Sequence, residues 1–315
     1  MTAYTEAKEK RATSALSTVI CIFFLAVMLI FSEAIRRGAK RGLDLCLGTL
    51  IPTLFPFFIL SDLWVDCFAV KGEGLICRSY ERLFGLSSST LPAVIMGCVC
   101  GFPLGIRLAA ERYKRGEIGK NQLQRICGFA NNPSCAFVIS GVGAGLFSDV
   151  KIGVLLYLSV IISALIIAFI GRREENISHI SAENPRQSFN IVNSIKSAGS
   201  SSLTVCSYII FFSSLIEFVG AFCKSELVCT VISLFLEITG AVCRTVAQTG
   251  ISNITKYFFA AFALGFSGLS VHMQAFAFMP PELSRKKYLL TKLLQGFISA
   301  AVMVTLSLII EKAVV

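Results

Sequence analysis

A polar, proline-broken tetrad, Asn131-Asn132-Pro133-Ser134, interrupts residues 126–147, a stretch otherwise apolar enough to cross a lipid bilayer. In hydrocarbon each unpaired amide or backbone group costs several kcal/mol, and proline removes a donor while stopping the helix around it. Such a break persists only where it is packed in protein or lines a wet cavity. The pattern argues against a plain membrane anchor and points toward a transporter or channel.

The rest of the chain fits that setting. Of 315 residues, 55% are hydrophobic and 15% charged, and the mean hydropathy of +0.73 lies outside the soluble globular range. The expected class is an all-α polytopic membrane protein, with about 8–10 transmembrane or re-entrant helices. The net charge of +10 does not indicate nucleic acid, because Lys and Arg gather in short segments between apolar runs, as residues holding loops on the cytoplasmic side do. Twelve cysteines, among them Cys21, Cys46, Cys98, Cys206 and Cys229, fall mostly inside apolar runs without a paired spacing or a histidine cluster. They read as small hydrophobes, and neither a metal nor a cofactor is expected.

Residues 1–33 end in an apolar run, 16–31, long enough to span if its ends are anchored, and the basic cluster Arg36, Arg37, Lys40 and Arg41 follows on the expected cytoplasmic side. Residues 43–70 carry Pro52, Pro56, Asp44, Asp62 and Asp66 and predict a kinked or re-entrant element. Residues 91–110 form an interrupted span with Pro92, Pro103 and several glycines, leading into a basic loop. After the tetrad, residues 152–170 read as an uninterrupted helix, and 171–193 as a polar linker containing His179 and Pro185. Four apolar runs follow, at 203–222, 227–246, 258–279 and 288–310.

The chain therefore divides into an N-terminal helix, 1–33, a first half, 34–170, the linker, and a second half, 194–315. Sliding the sequence by 155 puts Arg41 over Lys196, Phe57 over Phe212 and Asp62 over Glu217, and a slide of 133 puts Phe129 over Phe262 and Ser134 over Ser267. Alone these matches are weak, but in both halves the third element is the interrupted one: the tetrad in the first, and Gly265 to Ser270 with His272 and Gln274 in the second. Matching interruptions in two halves mark a substrate site, expected here as a hydrated pocket between two facing breaks at mid-depth.

Five motifs occur in order: Pro52-Thr53-Leu54-Phe55-Pro56-Phe57-Phe58, Gly101-Phe102-Pro103-Leu104-Gly105, the tetrad, Leu236-Glu237-Ile238-Thr239-Gly240 and Phe266-Ser267-Gly268-Leu269-Ser270-Val271-His272-Met273-Gln274. Together they resemble the YlbJ-type sporulation integral membrane proteins over about residues 35–310. The resemblance implies two repeats of the Gate, or nucleoside-recognition, type, shared with concentrative nucleoside transporters and the membrane part of bacterial ferrous-iron transporters. It also implies a multi-pass place in a bacterial cell membrane and a role in endospore formation, with dipicolinate as a substrate. The Gate label names a fold and does not fix a nucleoside ligand.

Asn131, Asn132 and Ser134 offer amide and hydroxyl groups, and the helix ends freed at Pro133 offer backbone donors suited to an anion. The competing role is interhelical bonding, worth about 0.6 kcal/mol per contact. Ser267, Ser270, His272 and Gln274 form the matching candidate wall, with Ser270 and Gln274 four apart on one helical face; His272 and Glu237 are also candidates for a proton or coupling ion, against plain packing roles. Gly101, Pro103, Gly105, Pro133 and Gly268 are expected helix-breaking or gating positions. Arg107 and Arg244 either draw an anion inward or reach to the membrane surface. No zinc pair, phosphate loop or serine elbow supports an enzyme.

The sequence thus predicts a non-enzymatic transporter of a small organic anion such as dipicolinate, working by alternating access, with lipid and a small-molecule or ion substrate as partners, no nucleic acid, and oligomeric state open. Nucleosides, inorganic ions, or a scaffold that moves nothing remain alternatives.

Overall fold

The computed structural model describes residues 18–19, 22–23, 25–52, 55–60, 74–172, 191–223 and 225–314. All regular structure among them is helical: α1 (Ser32–Leu45), α2 (Leu75–Phe84), α3 (Leu91–Val99), α4 (Leu104–Lys114), α5 (Lys120–Phe129), a π-helix (Phe137–Leu146), α6 (Val150–Ile170), α7 (Ile191–Phe222), α8 (Glu226–Leu236), α9 (Ile238–Ala247), α10 (Asn253–Phe266), α11 (Gly268–Phe278) and α12 (Arg285–Val314). Among the described residues four stretches are long and apolar enough to cross a membrane: α6, α7, α10 with α11, and α12. A fifth is counted if α2 and residues 88–99, bent by 99° at their junction, make one span. The protein is an all-α, multi-pass membrane protein.

Several boundaries differ from the sequence reading. The run at 203–222 belongs to a helix that already starts at Ile191, so the last three residues assigned to the linker are helical. The single run expected at 227–246 is two helices, because Glu237 adopts an extended conformation (φ −154°, ψ 130°) between α8 and α9. The basic cluster Arg36, Arg37, Lys40 and Arg41 lies on the exposed face of α1 instead of in a loop. Of the element expected at 43–70, α1 continues through a π-turn to Leu50, while residues 53–54 and 61–73 lie outside the described residues. His179 and most of the linker, 173–190, lie outside them too.

Packing follows membrane logic, in which small residues let backbones approach and apolar side chains face outward. Gly38 and Gly42 of α1 lie against Ser213, Ser214 and Ile210 of α7, so that any β-carbon there would meet α7 backbone at 2.5–2.8 Å. Phe31 stacks edge-on to Phe218 of α7, and Arg41 pairs with Glu217. The central helix is α12. Gly265 of α10 and Gly296 of α12 bring those helices into backbone contact, a β-carbon on Gly265 lying 3.0 Å from the Gly296 Cα. Gly128 of α5 packs on Thr291 of α12, and the Gln124 side chain exchanges two hydrogen bonds with the backbone of Ser284, just before α12 begins. Leu290, Leu294 and Phe297 on the other side of α12 are exposed, as suits a lipid-facing surface.

Candidate functional site

The tetrad breaks its helix by capping both ends. Asn132 Nδ2 donates to the carbonyl of Phe129 at 2.7 Å, satisfying an orphan acceptor at the end of α5, and Ser134 Oγ accepts from the Phe137 amide at 3.2 Å. A second break, at Cys100–Pro103 between α3 and α4, lies against it. Gly97 and Gly105 flank the Ala130 carbonyl so closely that neither could carry a side chain, and Gly101 (φ +93°) would place a β-carbon 2.7 Å from the Ser134 amide nitrogen. Gly101 and Pro103 thus lie at a break, whereas Gly105 is in the first turn of α4 and serves close approach.

The second half has the same arrangement. Glu237 caps α9, its two carboxylate oxygens accepting from the amides of Thr239 at 2.9 Å and Gly240 at 2.7 Å. Ser267 (φ +78°) separates α10 from α11 and donates its hydroxyl to the Leu264 carbonyl at 3.2 Å. Gly268 (φ +74°) lies on the Glu237 break, where a β-carbon would meet the Glu237 nitrogen at 3.1 Å. In each half, then, two interrupted helices touch at their interruptions, and Ser134 and Ser267 both sit at the second of these.

One face of α12 joins the two halves. Tyr288, Lys292, Gln295 and Ser299 recur at spacings of four, three and four, the period of a helical stripe, and all four are buried. Lys292 Nζ donates to the Asn131 carbonyl at 2.8 Å and to Gln295 Oε1 at 2.6 Å, and Gln295 Nε2 donates to Asn132 Oδ1 at 2.7 Å. Asn131 Nδ2 donates to Tyr288 Oη at 2.9 Å, and Tyr288 Oη lies 3.1 Å from His272 Nδ1. The arrangement that makes both contacts at this hydroxyl hydrogen bonds has the tyrosine donating to His272 Nδ1 and the imidazole proton on Nε2. Ser299 and Ser159 Oγ, 3.2 Å apart, carry the polar stripe on to α6.

Asn131, Asn132, Tyr288, His272, Lys292 and Gln295 have no exposed surface, so the two halves meet here through packed side chains and not across the hydrated pocket expected from the sequence. Among the described residues no carboxylate pairs with Lys292. Asn131 Oδ1, Gln274 Oε1 and His272 Nε2 are buried without a hydrogen-bond partner among the described residues. Ser270 and Gln274 share one face of α11, with Gln274 Nε2 3.4 Å from Ser270 Oγ, but two residues along a helix is a turn of roughly 200°, so that face is opposite His272. The expected wall is thus split: His272 joins the network of Asn131 and Asn132, while Ser270 and Gln274 do not share its face.

Arg107 lies over the Phe58 ring and donates to Ser197 Oγ at 2.6 Å, away from the stripe. Cys98 receives a long contact from Asn132 Nδ2 at 3.7 Å, and Cys100 makes one to Met96 at 3.8 Å. Among the described residues no group of three or more His, Cys, Asp or Glu side chains could hold a metal ion. The sequence reading does not single out Tyr288, Lys292 or Gln295; their helical spacing along an apolar run is the signal that could find them.

No family model matches the chain, and no solved structure matches it. It is 25% identical to the sporulation integral membrane protein YlbJ of Bacillus subtilis (strain 168), in an alignment covering 90% of this chain and 80% of that protein. That likeness runs along nearly the whole chain, and four of the motifs, at Gly101–Gly105, Asn131–Ser134, Leu236–Gly240 and Phe266–Gln274, lie at the helix breaks described above, which supports a YlbJ-type assignment.

Proposed function

We propose that this protein is a transporter of a small organic anion, with dipicolinate the first candidate, which alternates access to a site between its two halves. The observation that carries the reading is the joining of the Asn131–Asn132 break to His272, one turn past the Ser267 break, through the buried polar face of α12. Interrupted helices at membrane depth are tolerated where they serve a site, and two interruptions per half, touching one another, are more than packing requires. A buried lysine amine ringed by neutral groups gains a counter-charge for its protonated form from an anion, and from neither a nucleoside nor a cation. The closed packing corresponds to an occluded state, and relative movement of the halves would open it to either side. No catalytic step forms part of this reading.

The test is uptake of labelled dipicolinate, nucleosides and inorganic ions into vesicles holding the purified protein. Saturable dipicolinate flux that is lost in Asn131→Ala and Asn132→Ala supports the reading. Flux of a nucleoside or an inorganic ion alone replaces the substrate class, and no flux of any of them favours a scaffold.

A further inference from the structure

Lys292 and Asn131 together specify more than a negative charge. Lys292 Nζ gives two protons to neutral oxygens, the Asn131 carbonyl and Gln295 Oε1, and in its ammonium form it holds a third. The third has no acceptor among the described residues. Asn131 Oδ1, on the residue whose carbonyl Lys292 already touches, is buried and accepts from nothing among them. A lysine amine that has no counter-charge once it is protonated and an unsatisfied acceptor thus lie side by side, inside packing where an unmatched group of either kind is costly. His272 Nε2, across Tyr288, is a further unsatisfied polar atom at the far edge of the patch.

We propose that Lys292 is the counter-charge for a carboxylate of the transported species, and that Asn131 Oδ1 accepts from a hydrogen-bond donor on the same molecule. This rests on the transport reading given above. The chemical class is a carboxylate beside an N–H or O–H: a carboxylic acid amide, a hydroxy acid, or a dicarboxylic acid carried with one proton still on it. A second ionised carboxylate against Asn131 Oδ1 would set two acceptors face to face, so a fully ionised dicarboxylate is held less well than its singly charged analogues.

Three pyridine probes separate these features: the 2,6-dicarboxylate, its monoamide, which has one carboxylate and an N–H donor, and its diamide, which has no charge. Their binding to the full chain in lipid nanodiscs is measured by titration calorimetry. The monoamide is expected to bind most tightly and the diamide at least about tenfold more weakly. In Lys292→Met the monoamide loses its advantage over the diamide, and Lys292→Arg keeps part of it. A diamide that binds the unaltered protein as well as the monoamide overturns the proposal. So does a dicarboxylate that binds more tightly than the monoamide, or a Lys292→Met protein that melts cooperatively and keeps the monoamide's affinity. Should Lys292→Met fail to fold, the ranking of the three probes on the unaltered protein decides alone. Dicarboxylate flux in vesicles without this ranking sinks the assignment of Lys292 and Asn131 only; absence of all organic-anion binding and flux sinks the transport reading and this proposal with it.

Discussion

Tyr288 Oη accepts a hydrogen bond from Asn131 Nδ2 at 2.9 Å, across 157 residues of chain, and the same oxygen lies 3.1 Å from His272 Nδ1. A single hydroxyl therefore holds a broken helix of the first half to a helix of the second. Its worth lies in what is left behind when it goes, because two buried polar groups lose their partner at once.

Tyr288→Phe removes that oxygen with little change in shape. The expected loss of stability is about 1–3 kcal/mol, from the unsatisfied Asn131 amide and His272 ring nitrogen. A double variant with Asn131→Ala should lose less than the sum of the two single changes, since they share one interaction. Melting of the purified proteins in one detergent, followed by far-ultraviolet circular dichroism, measures both; full additivity would show the contact to be idle.

Gly101 and Gly116 both have positive φ, +93° and +72°, but only Gly101 is crowded, with a β-carbon there 2.7 Å from the Ser134 nitrogen and nothing within 4 Å at Gly116. Gly116→Ala should cost about 1–2 kcal/mol, the strain of a left-handed alanine. Gly101→Ala should cost clearly more and should reduce flux in vesicles, because it pushes apart the two breaks of the first half. Equal melting temperatures for the two variants would contradict this.

Glu237 uses both carboxylate oxygens on the amides of α9, and its side chain is buried. Glu237→Ala removes the cap and should cost about 0.5–2 kcal/mol. Glu237→Asp, a stronger capping residue, should retain most of the stability. A melting temperature for Glu237→Ala that matches the unaltered protein would show that the cap contributes nothing.

On α1, Gly38 and Arg41 provide a contrast between packing and charge. A β-carbon at Gly38 would lie 2.5 Å from the Ser213 carbonyl oxygen, whereas Arg41 pairs with Glu217 while its side chain stays 71% exposed. Gly38→Leu should detach α1 from α7 and shift the melting temperature strongly, while Arg41→Ala should change stability by no more than about 1 kcal/mol. Cysteine crosslinking between α1 and α7 reports the detachment directly.

The interruptions at Asn131–Ser134 and Ser267 are legible in the sequence because proline, glycine and clustered polar residues are poorly tolerated inside an apolar run unless the helix stops there. The break at Glu237 is not, since Leu and Ile on both sides make one continuous hydropathic run; the extended backbone there is set by capping and by the close approach of Gly268. Lys292 is hidden for a different reason. It follows Arg285, Lys286 and Lys287 so closely that it reads as a residue reaching for the membrane surface, and only the fold turns it inward onto Asn131. Ser270 and Gln274 do share one helical face, as their spacing predicts, but sequence does not say which neighbour that face meets.

At the Gly265–Gly296 contact the backbones of α10 and α12 meet directly, with the side chains of Phe262 and Phe266 packed beside it. Such close-packed seams resist sliding, so under the proposed alternating access a movement that uncovers Lys292 would turn about other, more loosely filled seams.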